Sequence, residues 1–105
     1  MTRLLKFRAW DSKNKLLKRL GKIELVKGEL KLENHIILQF TGYFDKLGHE
    51  IYEKDILLSN GEKQSLIIWS EDHNGWRIEE DGIIKPLSKS FVLASTRLYN
   101  YYEKS

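Results

Sequence analysis

Cysteine is absent from this chain of 105 residues, and proline occurs once, at Pro86. Without cysteine there is no disulfide, no thiolate nucleophile and no thiolate metal ligand, and the redox state of the compartment leaves no trace. No stretch approaches the ~20 consecutive apolar residues of a membrane span. The opening Met1-Thr2-Arg3-Leu4-Leu5-Lys6 lacks the apolar segment of about 7–15 residues that marks a signal peptide. A cytoplasmic protein without a membrane partner is expected.

Catalytic signals are equally scarce. His35, His49 and His73 stand alone, with no second His or Cys at metal-ligand spacing, so no metal site is expected. Glu50, Glu53 and Asp55 follow Asp45 closely, but the alternating ligands and central glycine of an EF-hand loop are missing. Turn capping and surface ion pairs are the plainer use of these acids. No glycine-rich loop opens a helix to hold phosphate, and no serine sits in the strained elbow of a hydrolase. The expectation is a non-enzymatic protein without cofactor.

What the chain does have is enough apolar material for one core. Hydrophobic residues make up 41% of it, which disfavours gross disorder. Its length suits one domain, 1–105, burying roughly 65% of the surface of the unfolded chain. The overall charge of +3 is unevenly spread. Residues 1–40 hold ten Lys or Arg against four acids, whereas residues 41–105 hold eight against eleven. A basic end beside an acidic body attracts anionic partners, and it equally suits head-to-tail self-association.

The local pattern is β throughout. Asn60-Gly61, Asn74-Gly75 and Asp81-Gly82 are dipeptides suited to the positive φ of type I′ hairpin turns. They separate Asp55–Leu58, Leu66–Ser70, Trp76–Glu80 and Ile83–Leu87, each rich in strand formers, and Thr96–Tyr102 adds a fifth strand. Five short strands in about fifty residues suit a small closed barrel. Pro86 marks the fourth of them as an edge strand or a strand end. Trp69 and Trp76 flank one turn as a cross-strand pair. Ser88–Ser95 has room for a short helix.

In the first forty residues Leu5, Phe7 and Ala9 alternate with Lys6, Arg8 and Trp10, as in a half-buried strand. Ser12–Lys15 reads as the following turn. Ile23–Leu25 and Leu30–Leu32 form a hairpin about Lys27-Gly28, and Ile36–Phe40 is apolar on both faces, like a central strand. Leu16, Leu17 and Leu20 leave a helical turn open as the alternative for Lys15–Lys22.

Gln39–Ile56 is the most specified stretch. Asp45-Lys46-Leu47-Gly48 has Asp first and Gly fourth, as a type I turn favours. Ile51 and Tyr52 then anchor the loop to the core. With Lys6-Phe7-Arg8-Ala9-Trp10-Asp11 before it and Asn100-Tyr101-Tyr102-Glu103 after it, this chain resembles the YopX family of bacteriophages and prophages of Gram-positive bacteria. The pattern there runs K-F-R-A-W-D, then Q-x-T-G-x-x-D-x-x-G-x-E-I-Y-E-G-D-I, and closes on N-I-Y-E-N-P. Lys54 replaces the family's usual glycine, Tyr99 replaces the glycine before the closing Asn, and no proline follows Glu103. The resemblance implies a mainly β protein in which N-terminal strands (1–40) pack on a small SH3-like barrel (55–102). It implies an accessory role in a bacterial host cell and carries no activity.

Two binding readings follow. The first is a protein-interaction module that also self-associates through strand edges of the N-terminal sheet; Tyr99, Tyr101 and Tyr102 either close the barrel or offer an aromatic strip. The second is nucleic-acid binding by the basic face of Lys6, Arg8, Trp10, Lys13, Lys15, Lys18 and Arg19, where cations hold phosphate and Trp10 stacks a base. Against the second stands a core role for Trp10, with Asp11 capping its turn. Asp45, Gly48, Ile51, Tyr52 and Asp55 are assigned to structure.

Overall fold

The strand signals of the sequence produce two antiparallel sheets in the computed structural model, which describes residues 6–20, 35–59 and 62–104. The expected hairpin at 23–32, the Asn60-Gly61 turn and Leu5 lie outside the described residues. The first sheet comprises β1 (Phe7–Asp11), β2 (Leu16–Leu20), β3 (His35–Phe44) and β4 (Glu50–Tyr52), in the order β2-β1-β3-β4. The second comprises β5 (Asp55–Ser59), β6 (Lys63–Ser70), β7 (Gly75–Glu80), β8 (Ile83–Pro86) and β9 (Thr96–Asn100), in the order β8-β7-β6-β5-β9. One helical turn, α1 (Lys89–Leu93), lies between β8 and β9. No helix among the described residues is long and apolar enough to cross a membrane.

Turn chemistry explains the connections. Asp11 ends β1 by accepting the backbone amides of Lys13 and Asn14 at 3.0 and 3.1 Å. Lys15 then reverses the chain at φ 58°, so 16–20 returns as a strand beside β1 and the helical alternative is not taken. Asp81 and Gly82 both have positive φ, 51° and 79°, and make the expected two-residue hairpin between Glu80 and Ile83. The turn at Asn74-Gly75 differs from the expectation. Only Asn74 enters the left-handed region, at φ 49°, and Gly75 already pairs with Ser70, so the loop is the four residues 71–74. Asn is one of the few residues other than glycine that enter this region readily, which leaves Gly75 free to be strand.

The last strand also ends early. Asn100 Oδ1 accepts the Tyr102 amide at 3.2 Å, while Glu103 Oε1 accepts the Asn100 amide at 2.9 Å. This reciprocal cap starts the 3-10 turn Tyr101–Lys104 and stops β9 before Tyr101. Ser88 caps α1 in the same manner, accepting the Phe91 amide at 3.2 Å.

β5 to β8 form a meander and β9 returns on the far edge of β5, giving a half-barrel. Among the described residues no ladder joins β8 to β9, so the expected closure is not made and β8 remains an edge. Ile51, Leu57, Ile67, Ile78 and Val92 fill the half-barrel, with Tyr43, Trp76, Leu87 and Phe91 packed around them. Trp69 and Trp76 stand opposite each other, rings 5.1 Å apart and edge to face. The two sheets meet where Trp10 of β1 stacks on Tyr102 at 6.2 Å. β3 pairs with β1 over His35–Gln39 and with β4 at Phe40 and Phe44, with a shift of register between these two residues.

Candidate functional site

The specified loop begins with two carboxylates removed from solvent. Asp45 accepts the amides of Leu47 at 2.9 Å and His49 at 2.8 Å, with His49 Nδ1 at 3.2 Å. It also accepts the amide of Arg97, on β9, at 2.8 Å. Gly48, at φ 85°, donates its amide to the Asp45 carbonyl and closes the turn. Burial pushes the Asp45 carboxyl up, but the amides of Arg97, His49 and Leu47 outweigh it and hold the group below its ordinary range.

Asp55 repeats the device one strand later. It accepts the Tyr52 amide at 2.8 Å and the Asn100 side-chain amide at 2.9 Å, and Arg97 Nε lies 3.1 Å from it. Here burial dominates, and the carboxyl is raised despite Arg97 and the two amides. Ile51 and Tyr52 are buried between these anchors. Both motif aspartates therefore bind β9, and the loop is tied to the end of the fold. Lys54 has φ 69°, so the turn kept for glycine in the resembling pattern forms with a lysine.

This tie brings basic residues of both sheets together. Lys6, Arg8, Arg19, Gly48, His49, Glu50 and Arg97 line a cleft of about 320 Å³. Arg8 and Arg19 are direct cross-strand partners on one face. The Arg8 guanidinium lies 4.1 Å from the centre of the Tyr52 ring. Lys6 Nζ donates to Glu50 Oε2 at 2.6 Å, and Tyr52 Oη donates to the other oxygen at 3.2 Å. That Lys6 bond is the main reason the Glu50 carboxyl is held below its ordinary range. Arg97 is engaged by Asp55 and by Glu103 at 3.3 Å.

The expected basic face divides. Lys6, Arg8 and Arg19 meet in the cleft. Lys13 and Lys15 are exposed in the 12–15 turn. Lys18 falls on the other face of the β1–β2 ladder, opposite Ala9, and pairs with Asp11 at 2.9 Å. Trp10 is 5% exposed and covered by Tyr102, so it offers no ring to a base. The base-stacking role is not available because the indole, on the face shared with Arg8, is covered by Tyr102 of the 3-10 turn. Arg97, His49 and Glu50 were missed; nothing near them in the sequence indicates that β9 and the 45–49 loop close over β1.

A second cluster surrounds Glu80, which accepts Ser65 Oγ at 2.7 Å and Lys85 Nζ at 3.0 Å, with Lys63 Nζ at 3.4 Å. These partners, led by Ser65 and Lys85, lower its pKa to about 2. Every oxygen of this carboxylate is engaged, which is the arrangement of a structural ion cluster rather than a reactive acid.

The fold and cleft define a small two-sheet β protein with a buried aspartate clasp and a basic seam. The chain belongs to the YopX family: the model described as YopX protein matches residues 15–103. Among solved structures it is similar to the crystal structure of protein EF1440 from Enterococcus faecalis, with a TM-score of 0.69 and 21% identity. That likeness covers 98% of this chain and 96% of the other, and it shows the shared fold. No curated protein matches the chain.

Proposed function

We propose that the chain is a non-enzymatic binding module, an accessory protein of the phage and prophage kind acting in the cytoplasm of a bacterial host. Its protein-binding surface is the open edge of an SH3-like half-barrel. The observation that carries this reading is β8. It is the outer strand of its sheet, and Ile83 and Ile84 are 59% and 51% exposed on its two faces. Edge strands are usually blunted by charge or cover, because an unpaired row of amides and carbonyls invites another strand. In a two-residue hairpin the pair flanking the loop is hydrogen-bonded and the next is not, so Ile84 turns its backbone outward. Pro86 lacks an N–H and limits the added strand to a few residues.

The occupant we propose is an extended segment of a partner protein, adding main-chain bonds at Ile84 and placing apolar side chains beside the two isoleucines. Self-association is proposed through strand edges as well, those of the first sheet and β8. The test compares parent and Ile84→Asp in capture from cells carrying the phage or prophage, with sedimentation of each protein alone. Ile84→Asp should lose the captured partner while its stability changes by no more than about 0.5 kcal/mol. A partner retained by the folded variant would overturn the proposal.

A second reading, contact with nucleic acid, rests on the cations gathered in the cleft. It proceeds through the phosphate backbone alone, since Trp10 is covered.

A further inference from the structure

We infer that the cleft between β1, β2, the 45–49 loop and β9 is a binding site for a phosphate oxyanion, carried by a phosphate ester. The argument is independent of the β8 edge.

It starts from a local penalty. Arg8 and Arg19 face each other directly across the β1–β2 ladder. Like charges in that position repel, and natural ladders usually pair one of them with an acid. Among the described residues, no carboxylate lies within ion-pair distance of either guanidinium. The nearby acids are bonded elsewhere: Glu50 to Lys6, though its charge also acts on Arg8, Asp55 and Glu103 to Arg97, Asp45 to backbone amides and His49. An anion between Arg8 and Arg19 would remove the repulsion.

The geometry fits phosphate. Two guanidinium forks from neighbouring strands, an ammonium from Lys6 and the His49 ring approach one volume from different elements. A planar carboxylate uses one fork; a tetrahedral oxyanion with three or four oxygens can use several donors at once. Arg8 is positioned beforehand by its contact with the Tyr52 ring. At about 320 Å³ the cleft lies at the small end of ligand sites, with room for a phosphate and part of its ester group. Glu50 then acts as the resident anion: it holds Lys6 in the cleft and competes with any ligand for it.

The test titrates the full chain at low salt with inorganic phosphate, a nucleoside monophosphate and a short single-stranded oligonucleotide. Arginine Nε and backbone amide resonances are followed by NMR. Saturable shifts at Arg8, Arg19 and Gly48 are expected. Arg19→Gln, at an exposed side chain that leaves the fold intact, should weaken binding about tenfold or more. Glu50→Gln should strengthen it, an outcome that a merely structural Glu50 would not produce. Lys63→Gln, outside the cleft, should leave it unchanged. Saturation by the monophosphate identifies a small phosphate ester. Saturation by the oligonucleotide at far lower concentration, falling steeply with salt, identifies a nucleic-acid backbone. The absence of saturable shifts with all three probes overturns the inference, as does binding that Arg19→Gln leaves unchanged or that Lys63→Gln weakens equally.

Discussion

Asp45, Asp55 and Glu80 are buried carboxylates with different electrostatic signs. Asp45 and Glu80 hold their protons less tightly when folded, Glu80 with a pKa of about 2 against an ordinary 4.5. Their contribution is present above the unfolded pKa and is lost as pH falls through the folded one. Asp55 has the opposite sign: its raised pKa means that protonation eases its burial on acidification. Asp11 and Glu50 are depressed as well and Glu53 is raised, so four depressed carboxyls against two raised ones predict a net loss of stability on acidification. The urea midpoint should be nearly level above pH 5 and fall between about pH 4.5 and 2. Glu80→Gln should remove part of that fall. A midpoint unchanged down to pH 2 would contradict the roles given to Asp45 and Glu80. Asp45 was readable as a turn former, because Asp and Gly three apart have a local reason to occur. Its bond to Arg97, 52 residues away, has none.

Among the elements, the loop between β3 and β4 and the turn before β5 test how backbone conformation is met by residue type. At Gly48 a Cβ would find nothing within 4 Å, so any cost of substitution comes from φ 85° alone. Gly48→Val should therefore lower stability by about 1–3 kcal/mol, read from chemical denaturation. Lys54 bears the same strain as a natural residue, at φ 69°. Lys54→Gly should raise stability by roughly 0.5–1 kcal/mol, the relief of strain exceeding glycine's added freedom in the unfolded chain. Gly48→Val melting like the parent would show that the loop is not a clasp. The strands were legible at this scale because period two and turn dipeptides are local. The end of β9 was not, because the Asn100–Glu103 cap competes with a strand-like run of tyrosines.

For the whole molecule, one contact at the seam of the sheets is aromatic: Trp10 on Tyr102, from opposite ends of the chain. Removing the indole leaves a cavity at the seam, so Trp10→Ala should cost about 3–5 kcal/mol. Thermal unfolding should move to lower temperature, or the variant should fail to fold. Tyr102→Phe keeps the ring, so comparing its melting with that of Tyr102→Ala separates stacking from the share of the hydroxyl. A Trp10→Ala protein as stable as the parent would show that the sheets are held elsewhere.

The sequence by itself determined the mainly β class, most strand positions, the type I′ turn at Asp81-Gly82 and the aspartate–glycine turn at 45–48. Each depends on neighbours within a few residues, where alternation and allowed φ act directly. Only the tertiary structure decided that Trp10 is covered while Arg8, on the same face, opens into a cleft with Arg97 and His49. It also left β8, among the described residues, an edge strand. Alternation shows which side chains share a face of a strand; what lies over that face depends on β9 and the 45–49 loop, whose approach is set by buried bonds between residues far apart in the chain.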